Sequence, residues 1–178
     1  MADDPRLLAL ADKQDMSDIL ALYCRGCDRA DLTALRACFF PDAHTTQSGF
    51  DGKSHDFCDF IISTVEVLDI CTHMISNILI DLRGDVAVSE CRFLAHHCWS
   101  DPGGRELHRF VEGRYLDRFE KREGVWKIAR RRGLNEFNRI FSAWEFGEDQ
   151  LSAAELHPAI LLGAKAPDDW LYRMLDEA

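Results

Sequence analysis

Several side chains in this sequence are able to do chemistry, and each is limited by its neighbours. Cys24-Arg-Gly-Cys27 has the CxxC spacing of redox and zinc sites. No second CxxC accompanies it, and it falls inside a predicted helix. Buried, reduced thiols are therefore the better reading of it and of the seven cysteines as a set. His96-His97 supplies two imidazoles, groups that titrate near neutrality and can take or give a proton. Neighbours on a strand point to opposite faces, so the pair has poor metal geometry and only one of the two faces inward. Cys91, Phe93, Ala95, His97 and Trp99 form one face; Val86, Val88, Leu94 and His96 form the other. Both are partly apolar, and parity leaves open which of them faces the interior. Tyr115 lies on the inward side of a hairpin arm, where its hydroxyl can bond a substrate carbonyl and stabilise an enolate. Tyr23 stands on a helix that can line a pocket. There is no glycine-rich phosphate loop, no GxSxG and no HExxH, and neither a metal nor a cofactor is expected.

The elements that must position these groups follow from periodicity. Residues 6–29 read as a helix, with a break suggested at Met16-Ser17-Asp18 and a weak point at Gly26. A short helix follows from the N-cap Asp31 to Cys38, and Phe39-Phe40-Pro41-Asp42 stops it. A short strand at 44–47 and a turn at Gly49–Gly52 lead into a third helix, Ser54–Val67. Long strands over Cys71–Leu82 and Val86–Trp99 come next, and then a hairpin from Arg105 to Phe141. In that hairpin Leu107, Val111, Gly113, Tyr115 and Phe119 share one side, and Glu123-Gly124 makes the turn. Helices first and strands later is an α+β order, with the strands in an antiparallel meander. The segment 142–178 reads as an extension with helical turns near 152–157 and 168–175, anchored by Trp144, Trp170 and Tyr172.

The bulk composition excludes some functions. A net charge of −10 and a pI near 5.1 disfavour nucleic acid as the main partner, and Arg130-Arg131-Arg132 is too short a basic run to reverse that. No apolar run approaches the ~20 residues of a membrane span. The acidic start, Met1-Ala-Asp-Asp-Pro5, has no signal-peptide pattern, so a cytoplasmic chain is expected.

Three stretches together carry a family resemblance. They are Cys27-Asp28-Arg29-Ala30-Asp31 with Phe39-Phe40-Pro41-Asp42-Ala43; Thr72-His73-Met74-Ile75-Ser76-Asn77; and Gly113-Arg114-Tyr115-Leu116-Asp117-Arg118-Phe119 with Gly124-Val125-Trp126-Lys127-Ile128. This pattern resembles the SnoaL-like branch of the nuclear-transport-factor-2-like superfamily, in particular scytalone dehydratase and the hexachlorocyclohexane dehydrochlorinase. The resemblance implies a domain over 1–141 with 142–178 packed on it or on a neighbouring subunit. It implies a cone-shaped α+β barrel: a strongly curved, mixed, mostly antiparallel sheet closed by three helices around a deep apolar pocket. It implies that Asp28 orients His73, the base that removes a proton from substrate carbon. It places a second histidine on His96, with His97, Tyr23, Tyr115 and Arg131 as substrate contacts. It departs at Cys27, Thr46 and Tyr115 from scytalone dehydratase, and at Tyr23, where the dehydrochlorinase has a lysine. Those departures argue against either known substrate.

The function so implied is a cofactor-independent lyase, of dehydratase type, acting on a small apolar cyclic or polyketide-like molecule. A ketosteroid-type isomerase or polyketide cyclase is the alternative within the fold. A non-catalytic module like the small subunit of ring-hydroxylating dioxygenases is the alternative of another class. Self-association as a dimer or trimer through the outer sheet face is also implied.

Overall fold

The computed structural model describes residues 4–142 and 164–176. Helix α1 (Pro5–Asp28) starts at Asp4, whose carboxylate accepts the Arg6 N–H at 2.9 Å. Proline follows at a position where a missing N–H costs nothing. The suggested break at Met16 to Asp18 does not occur. Met16 is fully buried, and the Ser17 hydroxyl turns back to the Lys13 carbonyl at 2.9 Å, so the helix runs through. Gly26 is a contact rather than a weak point: a Cβ there would lie 3.0 Å from the Leu35 backbone, on helix α2 (Leu32–Ala37). Asp31 caps α2 by accepting the Ala34 N–H at 2.9 Å.

Strand β1 (Phe39–Gln47) begins earlier than the pattern suggests. Pro41 and Asp42 sit where its pairing with the last strand shifts register between Phe39 and His44, and a proline without an N–H is tolerated at such an irregularity. Strand β2 (Phe50–Lys53) folds back on β1, and helix α3 (Ser54–Val65) follows. Four long strands complete the sheet: β3 (Ile70–Arg83), β4 (Val86–Ser100), β5 (Glu106–Arg122) and β6 (Val125–Ser142). Glu123 and Gly124 both take positive φ, 52° and 83°, the paired left-handed turn that matches strand twist.

The sheet order is β2-β1-β6-β5-β4-β3, with β1 and β6 parallel and every other pair antiparallel. The sheet curls without closing on itself. Shifts in register bend it, at Ser76/Leu79 in β3 and at Glu112/Gly113 and Arg118/Phe119 in the β5–β6 pair. At Gly113 the β6 backbone leaves no room for a side chain: a Cβ there would lie 1.8 Å from the Leu134 carbonyl oxygen. The three helices cover the concave side and complete the cone.

All seven cysteines are buried and unpaired. Burial pushes the thiols of Cys24, Cys38, Cys58 and Cys71 up to about 12, so they remain protonated and pack as small apolar groups. The C-terminal residues return to the body through Lys165, whose ammonium donates to the carbonyls of Val65 and Leu68 at 2.5 and 2.6 Å. Tyr172, at the start of helix α4 (Trp170–Asp176), donates its hydroxyl to Asp31 at 2.8 Å. Trp170, expected as an anchor, is 46% exposed. Trp144 and the turn expected at 152–157 lie outside the described residues. No helix among the described residues is long and apolar enough to cross a membrane.

Candidate functional site

The concave face holds a cavity of about 650 Å³, within the usual ~300–1,000 Å³ of small-molecule sites. Ile61, Val65 and Leu68 form one wall; Phe93, Trp99 and Val111 form the facing one. Into this apolar space the fold brings a few polar groups.

Asp28 is the last residue of α1. The chain turns directly after it: the Arg29 N–H still bonds the Arg25 carbonyl, and Ala30 takes a φ of 52°. A carboxylate at a helix C-terminus meets the unfavourable end of the dipole, so it needs donors from elsewhere. Strand β3 supplies them. His73 Nδ1 lies 2.6 Å from Asp28 Oδ1, and the His73 backbone N–H donates to Oδ2 at 3.1 Å. Both side chains are largely shielded, at 10% and 15% exposure. With Nδ1 held by the carboxylate, Nε2 is the nitrogen left for a ligand; it makes no hydrogen bond among the described residues. His73 lines the cavity, and the His97 ring sits edge-on to it with centroids 5.8 Å apart.

The histidine of the adjacent pair that faces the cavity is His97, and this corrects the placement of His96. Trp99, His97, Ala95 and Phe93 turn inward together. His96 is on the outer face, stacked on Phe110 at 4.6 Å and bonded to His108 at 2.9 Å. Burial, with the nearby His73 and Arg109, pulls the His97 imidazole down to about 4, so it is neutral at neutral pH. Its Nε2 is buried with no hydrogen-bond partner among the described residues.

Tyr23 and Tyr115 both line the cavity, as expected, and meet edge-on at 5.5 Å. Tyr115 stacks on Phe93 at 4.4 Å, and the Tyr23 hydroxyl accepts from Gln47 Nε2 at 2.8 Å. Burial pushes both phenols well above their ordinary value, so each is a neutral hydrogen-bonding group. Arg131 is a second correction. It is fully buried, absent from the cavity wall, and paired through two 2.7 Å bonds to Asp117, which is equally buried. Its guanidinium packs behind the tyrosines, 3.9 Å from the Tyr23 ring and 4.4 Å from the Tyr115 ring. It packs against the rings and does not reach the cavity.

Gln47, Arg109 and Asn135 also line the cavity and are not found by sequence reasoning. Arg109 was legible: it has the parity of Leu107, Val111 and Tyr115 on β5. Asn135 was not, because parity on β6 changes at the Arg118/Phe119 register shift, between the inward Ile128 and Asn135.

Among the described residues, two donor sets have the types and spacing to hold a metal ion. Asp28, Cys71 and His73 place their ligand atoms within 4.8 Å of one another, and so do Cys98, Glu106 and His108. In the first, the carboxylate is already engaged by the imidazole and backbone of His73, and the Cys71 thiol is protonated.

A SnoaL-like domain model matches residues 8–132. The chain belongs to the SnoaL-like family. Among solved structures it is similar to hexachlorocyclohexane dehydrochlorinase LinA-type3 from Novosphingobium barchaimii, with 18% identity, a TM-score of 0.68, and coverage of 78% of this chain and 95% of that one. It is similar to a scytalone dehydratase-like protein from Novosphingobium aromaticivorans, at 21% identity, TM-score 0.64, and coverage of 74% and 88%. A beta subunit of the aromatic-ring-hydroxylating dioxygenase type from the same organism is similar at 18% identity, TM-score 0.58, and coverage of 74% and 94%. These likenesses establish the nuclear-transport-factor-2-like fold, which a dehydrochlorinase and a dioxygenase beta subunit share. No curated protein matches the sequence.

Proposed function

We propose that the cavity is the active site of a lyase of dehydratase type, in which His73 Nε2 removes a proton from a carbon next to a carbonyl. The observation that carries this reading is the 2.6 Å contact between Asp28 Oδ1 and His73 Nδ1 at the wall of an apolar cavity. The carboxylate fixes the tautomer that leaves Nε2 unprotonated, and it stabilises the imidazolium as the proton arrives. Tyr115 stands in the same wall as a neutral donor for the developing enolate oxygen. In a dehydration, the C–H bond breaks toward Nε2, the carbon–carbon double bond forms, and the carbon–oxygen bond of a β-hydroxyl breaks. The imidazolium then returns its proton to the departing hydroxide, and water leaves. His97, being neutral, serves as a hydrogen-bonding group rather than as the acid. That same observation favours a second reading, an isomerase, in which His73 returns the proton to another carbon of the substrate.

Small cyclic β-hydroxyketones incubated in deuterated water, with exchange and elimination followed by NMR, test the assignment. Replacing His73 by Ala is expected to reduce turnover by about 10²–10⁴-fold, with Asp28→Asn lying between it and the wild type. Turnover unchanged by His73→Ala refutes the base assignment.

A further inference from the structure

The cavity wall is polarised in a way the base assignment does not require. The chain carries 31 Asp and Glu residues against 21 Lys and Arg, yet among the described residues no carboxylate lines the cavity and one guanidinium does, that of Arg109. Several other arginines of the sheet are matched with carboxylates. Arg92 and Arg114 hold Glu136, Arg118 and Arg122 hold Glu120, and Arg131 holds Asp117. Arg109 has no carboxylate among the described residues. Its Nε donates to Asn138 Oδ1 at 2.9 Å, which orients the planar group and leaves both terminal nitrogens without a hydrogen bond among those residues. The contact depends on the β6 bulge. After Glu136 the register slips, so Asn138 pairs with Val111 and its side chain reaches the inward-facing Arg109.

His97 is paired directly with Arg109 across the β4–β5 ladder. Its buried, unpartnered Nε2 is a second polar atom at this end of the cavity. A buried polar atom without a partner costs about 1–3 kcal/mol, which a ligand group that bonds it recovers. Asp28, His73, His97, Arg109 and Asn138 thus form one polar row, running from α1 across β3, β4, β5 and β6. His73 and Arg109 are two strands apart and two residues out of register, about 12 Å between backbones at ~4.8 Å per strand and ~3.4 Å per residue, a span that one fused ring system and its substituent fill.

We propose that the cavity takes an apolar carboxylate, anchored on the forked terminal nitrogens of Arg109 with His97 beside it, so that a ring carbon two strands away is presented to His73. A planar guanidinium oriented by Asn138 matches a carboxylate through two parallel bonds, in a setting drier than bulk water. The anchor stands on its own geometry; only the direction in which the ring points rests on the base assignment.

Naphthoate and its neutral counterpart naphthamide test the anchor by calorimetric titration of the full chain. The wild type is expected to bind naphthoate at least about tenfold more tightly. Arg109→Gln should abolish that preference while leaving naphthamide binding in place, and His73→Ala should leave the preference intact. Equal binding of the two probes by the wild type overturns the proposal without any variant. A naphthoate preference that persists in Arg109→Gln also overturns it. Failure of the base assignment reads differently: naphthoate is still preferred, but His73→Ala leaves solvent exchange unchanged.

Discussion

The Asp117–Arg131 pair offers the sharpest test of how this fold holds its site. Both side chains are at 0% exposure, joined by two bonds of 2.7 Å, and the guanidinium lies between the rings of Tyr23 and Tyr115. One terminal nitrogen of Arg131 is buried and has no hydrogen-bond acceptor among the described residues. The two aromatic faces are what that side of the cation meets, and they offset part of its desolvation. Taking away Asp117 alone leaves a positive charge in the core with nothing to neutralise it. A single replacement, Asp117→Asn or Arg131→Met, is therefore expected to cost about 3–5 kcal/mol. Replacing both together, as Asp117→Asn with Arg131→Met, should cost much less than the two singles summed, because the desolvation penalties of both charges disappear with the attraction that compensated them. Urea unfolding followed by circular dichroism gives the four corners of the cycle, and the coupling between the two positions should exceed about 2 kcal/mol. If Asp117→Asn costs less than about 1 kcal/mol, or the double replacement is simply the sum of the singles, the reasoning is wrong. A loss confined to ligand binding, with stability unchanged in Arg131→Met, would return Arg131 to the site.

Two further outcomes follow from the geometry. Gly113→Ala should destabilise the protein by more than about 3 kcal/mol or prevent folding, since the added carbon would overlap the Leu134 carbonyl at 1.8 Å; thermal melting that shifts by only a degree or two refutes the close approach. The His97 imidazole, at about 4 in the folded protein against about 6.5 when unfolded, binds protons more readily in the unfolded chain. Its contribution to stability is complete above pH 6.5 and is lost progressively as the pH falls toward 4. The upper bound is about 3 kcal/mol, reduced to about 1–2 because the ring is not wholly cut off from solvent. Between pH 7.5 and pH 5 the urea midpoint of the wild type should fall relative to that of His97→Phe, and parallel pH dependence would count against the assignment.

Much of this protein was legible in its sequence because the relevant signals are local. Alternation placed Tyr115 inward, the period of the first helix placed Tyr23, and Glu123-Gly124 marked the hairpin turn, each from a few neighbouring residues. The three family stretches pointed to Asp28 and His73, and the fold brings them to 2.6 Å. What the tertiary structure decided is of longer range. Whether His96 or His97 turns inward depends on which side of β4 the helices pack, and both sides carry apolar residues that satisfy the local pattern. Whether Arg131 meets a ligand or a carboxylate depends on the register of β6 against β5, and two shifts in that pairing separate position from parity. The same shifts put Asn138 beside Arg109 and Asn135 in the cavity. Composition established that the chain is acidic; only the packed sheet determined that its cavity wall carries a guanidinium and, among the described residues, no carboxylate. Burial removes water from a site and makes the sign of each remaining charge matter, and burial is a property of the assembled sheet rather than of any one stretch of chain.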